Sequence, residues 1–181
     1  MPIIPFEGRV PRIHPTAFVA PTALVLGEVE IGEGASIWYG AVLRGDLDPI
    51  RVGARTSIQD NAVLHTGRGE PCLIGDDVTV GHSAVVHGCR IGNGCLVGML
   101  SCVLNNAVVG DESIIGAGAL VPGGKTYGNR SLLVGNPAKV LRTVSDEDLS
   151  KVLFYKDEYV KNGARHRAAI EEWYRANGLR L

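Results

Sequence analysis

Aromatic residues are scarce in this sequence of 181 residues, at 6%, although 45% of it is hydrophobic. The apolar content therefore comes mainly from aliphatic side chains and alanine, which disordered chains lack. Neither sign of charge is in excess: 18 Lys and Arg stand against 19 Asp and Glu. No basic stripe suggests nucleic acid as a partner, and no acidic block suggests a solvating tail. Four cysteines (Cys72, Cys89, Cys95 and Cys102) form no CxxC pair of the kind that builds zinc knuckles or redox motifs. No long apolar run occurs, and Pro2, Pro5 and Pro11 break up the amino-terminal stretch, which argues against a signal peptide or a membrane span. The default expectation is a cytoplasmic protein with reduced thiols and no membrane partner.

What the chain does have is glycine, 24 of 181 residues. That excludes a helix bundle over most of the length, because glycine costs about 1 kcal/mol per helical position relative to alanine. It is not collagen either, since no three-residue glycine period exists. The period is six. Steps of six run from Ile13 to Leu43, from Val52 to Leu64, from Ile74 to Val86 and, after one skipped residue, from Ile91 to Val121, and all eighteen rungs are Ile, Leu or Val. Four residues beyond a rung the side chain is usually small, as at Ala17, Ala41, Thr56, Ala84, Ser101 and Ala119. Glycine often follows a rung directly, where a short strand is expected to bend into the next face. Neither helical nor two-residue periodicity produces this pattern. A solenoid of short parallel strands does, with three six-residue faces per coil and about six coils. Residues 44–50 and 65–72 interrupt the ladder and read as corner loops. After Val121 the pattern dissolves, giving a prism over residues 1–141 and a helical segment over 142–181. That segment opens on a capping box at Ser145 and Asp148. Its apolar face runs from Leu149, Val152, Leu153, Tyr155 and Tyr159 to Ile170 and Trp173, and Asn162-Gly163 is expected to break it into two helices packed along the prism.

The register aligns outward positions. Residues following the third rung of each coil form a column of Arg44, His65, His87 and Leu104. Those two after the second rung form another, of Tyr39, Asp60, His82 and Met99, with Gln59 beside it, and Gly81, Gly98 and Gly116 keep the adjoining strip bare. Adjacent coils lie about 4.8 Å apart, so His65 and His87 stack closely enough to reach one metal ion. His82 lies five residues before His87, about 16 Å of extended chain. A shared site would therefore take His82 from a neighbouring prism, in a threefold ring. Three imidazoles with an open fourth position suit a catalytic zinc, which lowers the pKa of bound water to about 7, although Fe2+ and Co2+ suit three imidazoles too. Arg44, Asp46, Asp60 and Gln59 surround these histidines as orienting groups. The cysteines read as packed or interface thiols.

Four motifs, LRGD at residues 43–46, IQDN at 58–61, LH at 64–65 and VGHSAVVHGC at 80–89, resemble those of the gamma-class carbonic anhydrase-like branch of the hexapeptide-repeat proteins. The resemblance covers nearly the whole chain and implies a left-handed parallel β-helix, against the usual right-handed preference. It implies a homotrimer with zinc held by His65 and His87 of one subunit and His82 of the next. It also implies an active-site Arg44–Asp46 pair and a water-orienting Gln59 beside Asp60. The implied activity is reversible hydration of CO2 to bicarbonate. One departure stands out. Archaeal members carry glutamates for proton export, whereas Leu47 follows Asp46 here and Glu70 is the only carboxylate of the short 65–72 loop. Proton export is then left to buffer, Glu70 or Tyr159. An acyltransferase or thioesterase acting on acyl-CoA is the alternative on the same scaffold, and a metal-binding scaffold without turnover is a third reading.

Overall fold

An inward aliphatic every sixth residue leaves each strand two or three residues to run before the chain must turn. In the computed structural model, which describes residues 2–179, every rung lies in a strand, fourteen of the eighteen in strands of two or three residues. Pairing is parallel and in register between coils: Ile58 lies between Ile37 and Val80, and Leu64 between Leu43 and Val86. These side chains are fully buried and fill the axis of a parallel β-helix. The ladder outruns the sequence expectation. Tyr127 pairs with Val109 and Leu133 with Ile115, each six residues after the previous rung. The solenoid therefore has about seven turns rather than six. An aromatic at the first added rung, half-buried at the end of the core, hid the continuation.

Residues 44–50 are not a corner loop. They belong to the long strand Val42–Val52, which pairs with Leu24–Ile31 on both sides of a corner. Gly45 lies opposite Gly27 and Ile50 opposite Val29, so residues 46–49 bulge out against Glu28 alone. The second interruption does leave the prism: residues 66–71 form a tight turn closed by reciprocal backbone bonds between Gly67 and Glu70. The glycines after rungs serve a different purpose from bending. Gly32 and Gly110 have no left-handed φ. A Cβ on Gly32 would lie 2.8 Å from the Ala54 backbone nitrogen, and one on Gly110 2.6 Å from that of Asn129. Glycine there permits the close approach of successive coils. The left-handed corner positions are taken instead by residues such as Arg55, Asn61, Asp77 and Asn106.

One helix, Asp146–Ala176, follows, opened by the capping box of Ser145 and Asp148. It does not break at Asn162-Gly163. Gly163 is buried at the closest approach of helix to sheet, where a Cβ would lie 3.3 Å from Cβ of Phe18 and 3.5 Å from Cβ of Ser36. The packed face runs through Val152, Lys156, Tyr159, Gly163, Arg167 and Ile170, whereas Leu153, Tyr155 and Trp173 are exposed. Lys156 pairs with Asp77 at 3.3 Å, and Arg167 donates to the carbonyls of Pro15 and Ala17. The Arg55 guanidinium and Lys156 together hold the Asp77 carboxyl below its ordinary value. Trp38 lies beneath the helix, its Nε1 donating to Ser57 Oγ at 2.8 Å and its ring against Tyr159 and His166.

Gly163→Leu is expected to lift the helix at a cost of about 2 kcal/mol, typical of overpacking. Gly163→Ala should be near neutral, because about 1 kcal/mol of helix propensity offsets the crowding. Urea unfolding followed by Trp38 fluorescence in a Trp173→Phe background measures both, and an unchanged midpoint for the leucine variant overturns the contact. Among the described residues, no helix is long and apolar enough to cross a membrane.

Candidate functional site

Two clusters of the expected residues form on separate parts of the chain surface. In the first, parallel pairing sets Arg44, His65 and His87 in one column. Asp46 reaches this column because it begins the bulge of residues 46–49. Its Oδ2 accepts from Arg44 Nη1 at 2.6 Å, and its Oδ1 from His65 Nε2 at 3.0 Å. Burial pushes the Asp46 carboxyl up, but the hydrogen bonds from Arg44 and His65 outweigh it and hold the group below its ordinary value. Burial also lowers the pKa of His65, against the opposing pull of Asp46, so the neutral imidazole is favoured.

The two rings meet edge to face at 4.8 Å, with His65 Nδ1 and His87 Nε2 only 2.9 Å apart. Both outer nitrogens are engaged. The Asp46 carboxylate makes His65 Nε2 a donor, which leaves the lone pair on Nδ1. His87 Nδ1 donates to Asn105 Oδ1 at 2.9 Å, which leaves the lone pair on Nε2. The two lone pairs thus face each other.

In the second cluster, Asp60 Oδ2 meets His82 Nδ1 at 3.0 Å, and Gln59 Oε1 accepts from the His82 backbone N–H at 3.1 Å. Gln59 is buried, and the pKa of Tyr159, on the sheet-facing side of the helix, is raised chiefly by burial. A groove of about 470 Å³ runs from Gln59 and His82 between sheet and helix, lined by Leu96, Ile114, Val152 and Tyr155. The Thr79 hydroxyl on this groove is buried and has no hydrogen-bond partner among the described residues. His82 does not join His65 and His87. Among the described residues, no three His, Cys, Asp or Glu side chains form a ready ligand set. The cysteines are free thiols, three of them buried, and burial pushes the Cys95 thiol up to about 12.

Sequence reasoning missed Asn105. The column placed Leu104 above His87, yet the side chain that reaches the imidazole is the next one. The signal was the residue skipped between Val86 and Ile91. That shortened corner, at Gly88, leaves room for Asn105 of the following coil.

Six-residue rungs, stacked parallel strands and paired imidazoles at one corner define a hexapeptide-repeat protein. Residues 88–123 match the family model described as bacterial transferase hexapeptide (six repeats). The chain is 41% identical to gamma carbonic anhydrase 1, mitochondrial, of Arabidopsis thaliana over 88% of its own length, although it spans only 60% of that relative. It is 40% identical to a carbonic anhydrase of Geobacillus kaustophilus, covering 94% of this chain and 93% of that one. Carnitine operon protein CaiE of Escherichia coli is also 40% identical, over 92% of this chain and 85% of the relative. Among solved structures, a putative acetyltransferase of Bacillus cereus superposes with a TM-score of 0.91 at 38% identity, covering 92% of this chain and 97% of that one. The chain belongs to the gamma-class carbonic anhydrase-like family of hexapeptide-repeat proteins.

Proposed function

We propose that this chain catalyses the reversible hydration of CO2 at a divalent metal, zinc or iron, held between subunits of a homotrimer. The observation that carries this reading is the pair of imidazole nitrogens aimed at each other across 2.9 Å with both outer nitrogens engaged. Two opposed lone pairs repel unless a proton or a cation lies between them. Two imidazoles on a tetrahedral zinc hold their nitrogens about 3.3 Å apart, so a shift of a few tenths of an ångström admits the ion. The donors are neutral nitrogens backed by a carboxylate and an amide, a chemistry that fits zinc. When bound, such an ion supplies Lewis acidity that makes water a nucleophile near neutral pH.

The chain's own groups divide the remaining work. His65 and His87 form one half of the site, and His82 with Gln59 and Asp60 forms the other, brought by the neighbouring subunit. Arg44 and Asp46 fix the plane of the His65 ring. Gln59, buried and held by the His82 backbone, presents its amide from a fixed position to the reacting water. Stopped-flow CO2 hydration by the zinc-loaded protein, with and without imidazole buffer, tests the reading. Activity that rises with buffer is expected, because both carboxylate oxygens of Glu70 are engaged and the residue following Asp46 is Leu47. Full metal occupancy with no hydration at any buffer concentration sinks it and leaves a binding scaffold.

The groove under the helix favours one other reading, an acyl-CoA transferase or thioesterase. Its apolar walls suit a short acyl chain and the unpartnered Thr79 hydroxyl suits an acyl carbonyl. Saturable binding of acetyl-CoA by calorimetry, together with silence in CO2 hydration, supports that alternative.

A further inference from the structure

The turn of residues 66–71 is too ordered for a swinging carboxylate. Gly67 and Glu70 exchange backbone hydrogen bonds across it, at 3.1 and 3.2 Å. Both carboxylate oxygens of Glu70 are engaged: Oε2 accepts from Asn105 Nδ2, and Oε1 from Asn106 Nδ2 at 2.7 Å. The space around the first contact is kept clear by two glycines. A Cβ on Gly67 would strike Glu70 Oε2, and one on Gly88 would lie 3.2 Å from Asn105 Nδ2. The backbone on either side of Asn105 is fixed as well. Its carbonyl accepts from Gly124 N–H at 2.9 Å, and the next residue, Asn106, donates to the Gly88 carbonyl at 2.7 Å. What remains undetermined by the backbone is which end of the Asn105 amide faces His87.

We infer that Glu70 is a positioning residue that, acting through the Asn105 amide, fixes His87 as the Nδ1–H tautomer. A carboxylate only accepts, so it draws the NH2 end of Asn105 toward itself and turns Oδ1 toward His87. An amide oxygen there demands a proton on His87 Nδ1, and the lone pair is left on Nε2, the atom that faces His65. Without Glu70 the amide can turn over and present its NH2 group, which demands the opposite tautomer and puts a proton between the two rings. The consequence for metal binding rests on the reading of His87 as a ligand, but the tautomer does not.

The test uses the full chain, 15N-labelled and stripped with a chelator. Long-range 1H–15N correlation of the imidazoles distinguishes the two tautomers directly. Wild-type His87 is expected to keep Nδ1 protonated throughout, whatever proton fills the gap to His65 once the metal is removed. Glu70→Ala should lose that single state, as should Asn105→Ala, which leaves Glu70 and its turn intact. The double variant Glu70→Ala/Asn105→Asp should recover it, since a carboxylate at 105 can only accept and needs no orienting. Asn106→Ala, which spares the Asn105 bond, should leave the tautomer unchanged. Zinc affinity should follow the tautomer, falling about 10- to 100-fold in Glu70→Ala and returning in the double variant. The proposal is overturned if His87 stays Nδ1–H in both single alanine variants, or if the double variant fails to restore it. A tautomer that responds as stated in a protein that binds no zinc overturns only the ligand reading.

Discussion

His82→Ala is expected to remove stoichiometric metal while leaving the β-helix folded. The His82 side chain is 45% exposed and its side-chain partner is the half-buried Asp60, so its truncation takes nothing from the core and should change stability by less than about 0.5 kcal/mol. Losing one of three ligands from a zinc site, by contrast, should cost several orders of magnitude in affinity. The stronger form of the experiment mixes subunits. A His82→Ala chain keeps the His65–His87 half, and a His87→Ala chain keeps the His82 half. Each homotrimer is then expected to bind no metal at all. In a threefold ring of mixed chains, one interface of three joins an intact half to an intact half, so random co-assembly should restore about a quarter of the wild-type sites. Metal content after co-refolding, measured by atomic absorption, reads this directly. Recovery of none, or retention of metal by the His82→Ala homotrimer, means that the ligands are not shared between neighbours.

The stacking of His65 on His87 was legible in the sequence because the repeat converts spacing into register. A column drawn from Arg44 through His65 to His87 needs only the coil length, and parallel pairing enforces it. What lay one residue off the column was not legible. Asn105 is at a corner, where side-chain direction depends on turn geometry rather than on strand alternation, and its partner Glu70 comes from a turn outside the repeat altogether. The bulge at residues 46–49 escaped for a related reason. A break in the ladder marks extra residues, but not whether the strand pairs through them. Gly163 was misread because helix propensity treats glycine as a breaker, whereas here the missing side chain lets the helix lie against Phe18 and Ser36. Tertiary contact decided that position, and no local rule includes it.

Leu64→Ala is the substitution expected to cost the fold most for the fewest atoms removed. Leu64 is completely buried between Leu43 and Val86 in the axial column and directly precedes His65. Leu→Ala changes in cores cost about 2–5 kcal/mol, and the loss grows with the cavity that fails to collapse. Collapse is hindered here. The backbone ladder fixes the spacing of the coils at about 4.8 Å, and the neighbouring corners are stacked carbonyl on N–H, as where Val63 donates to Ala84 at 2.9 Å. A cost of about 4 kcal/mol is therefore expected, lowering the melting temperature by roughly 10 °C for a chain of this size. Leu141→Ala, at a side chain 65% exposed, should change it by about a degree or less. The two leucines have the same chemistry, so the difference isolates burial. Equal shifts in calorimetry would mean that the axial column does not carry the stability of the solenoid. The variant also tests how the core supports the site, because a cavity beside His65 frees its backbone. Zinc affinity measured below the melting transition should fall with Leu64→Ala and remain at the wild-type value with Leu141→Ala.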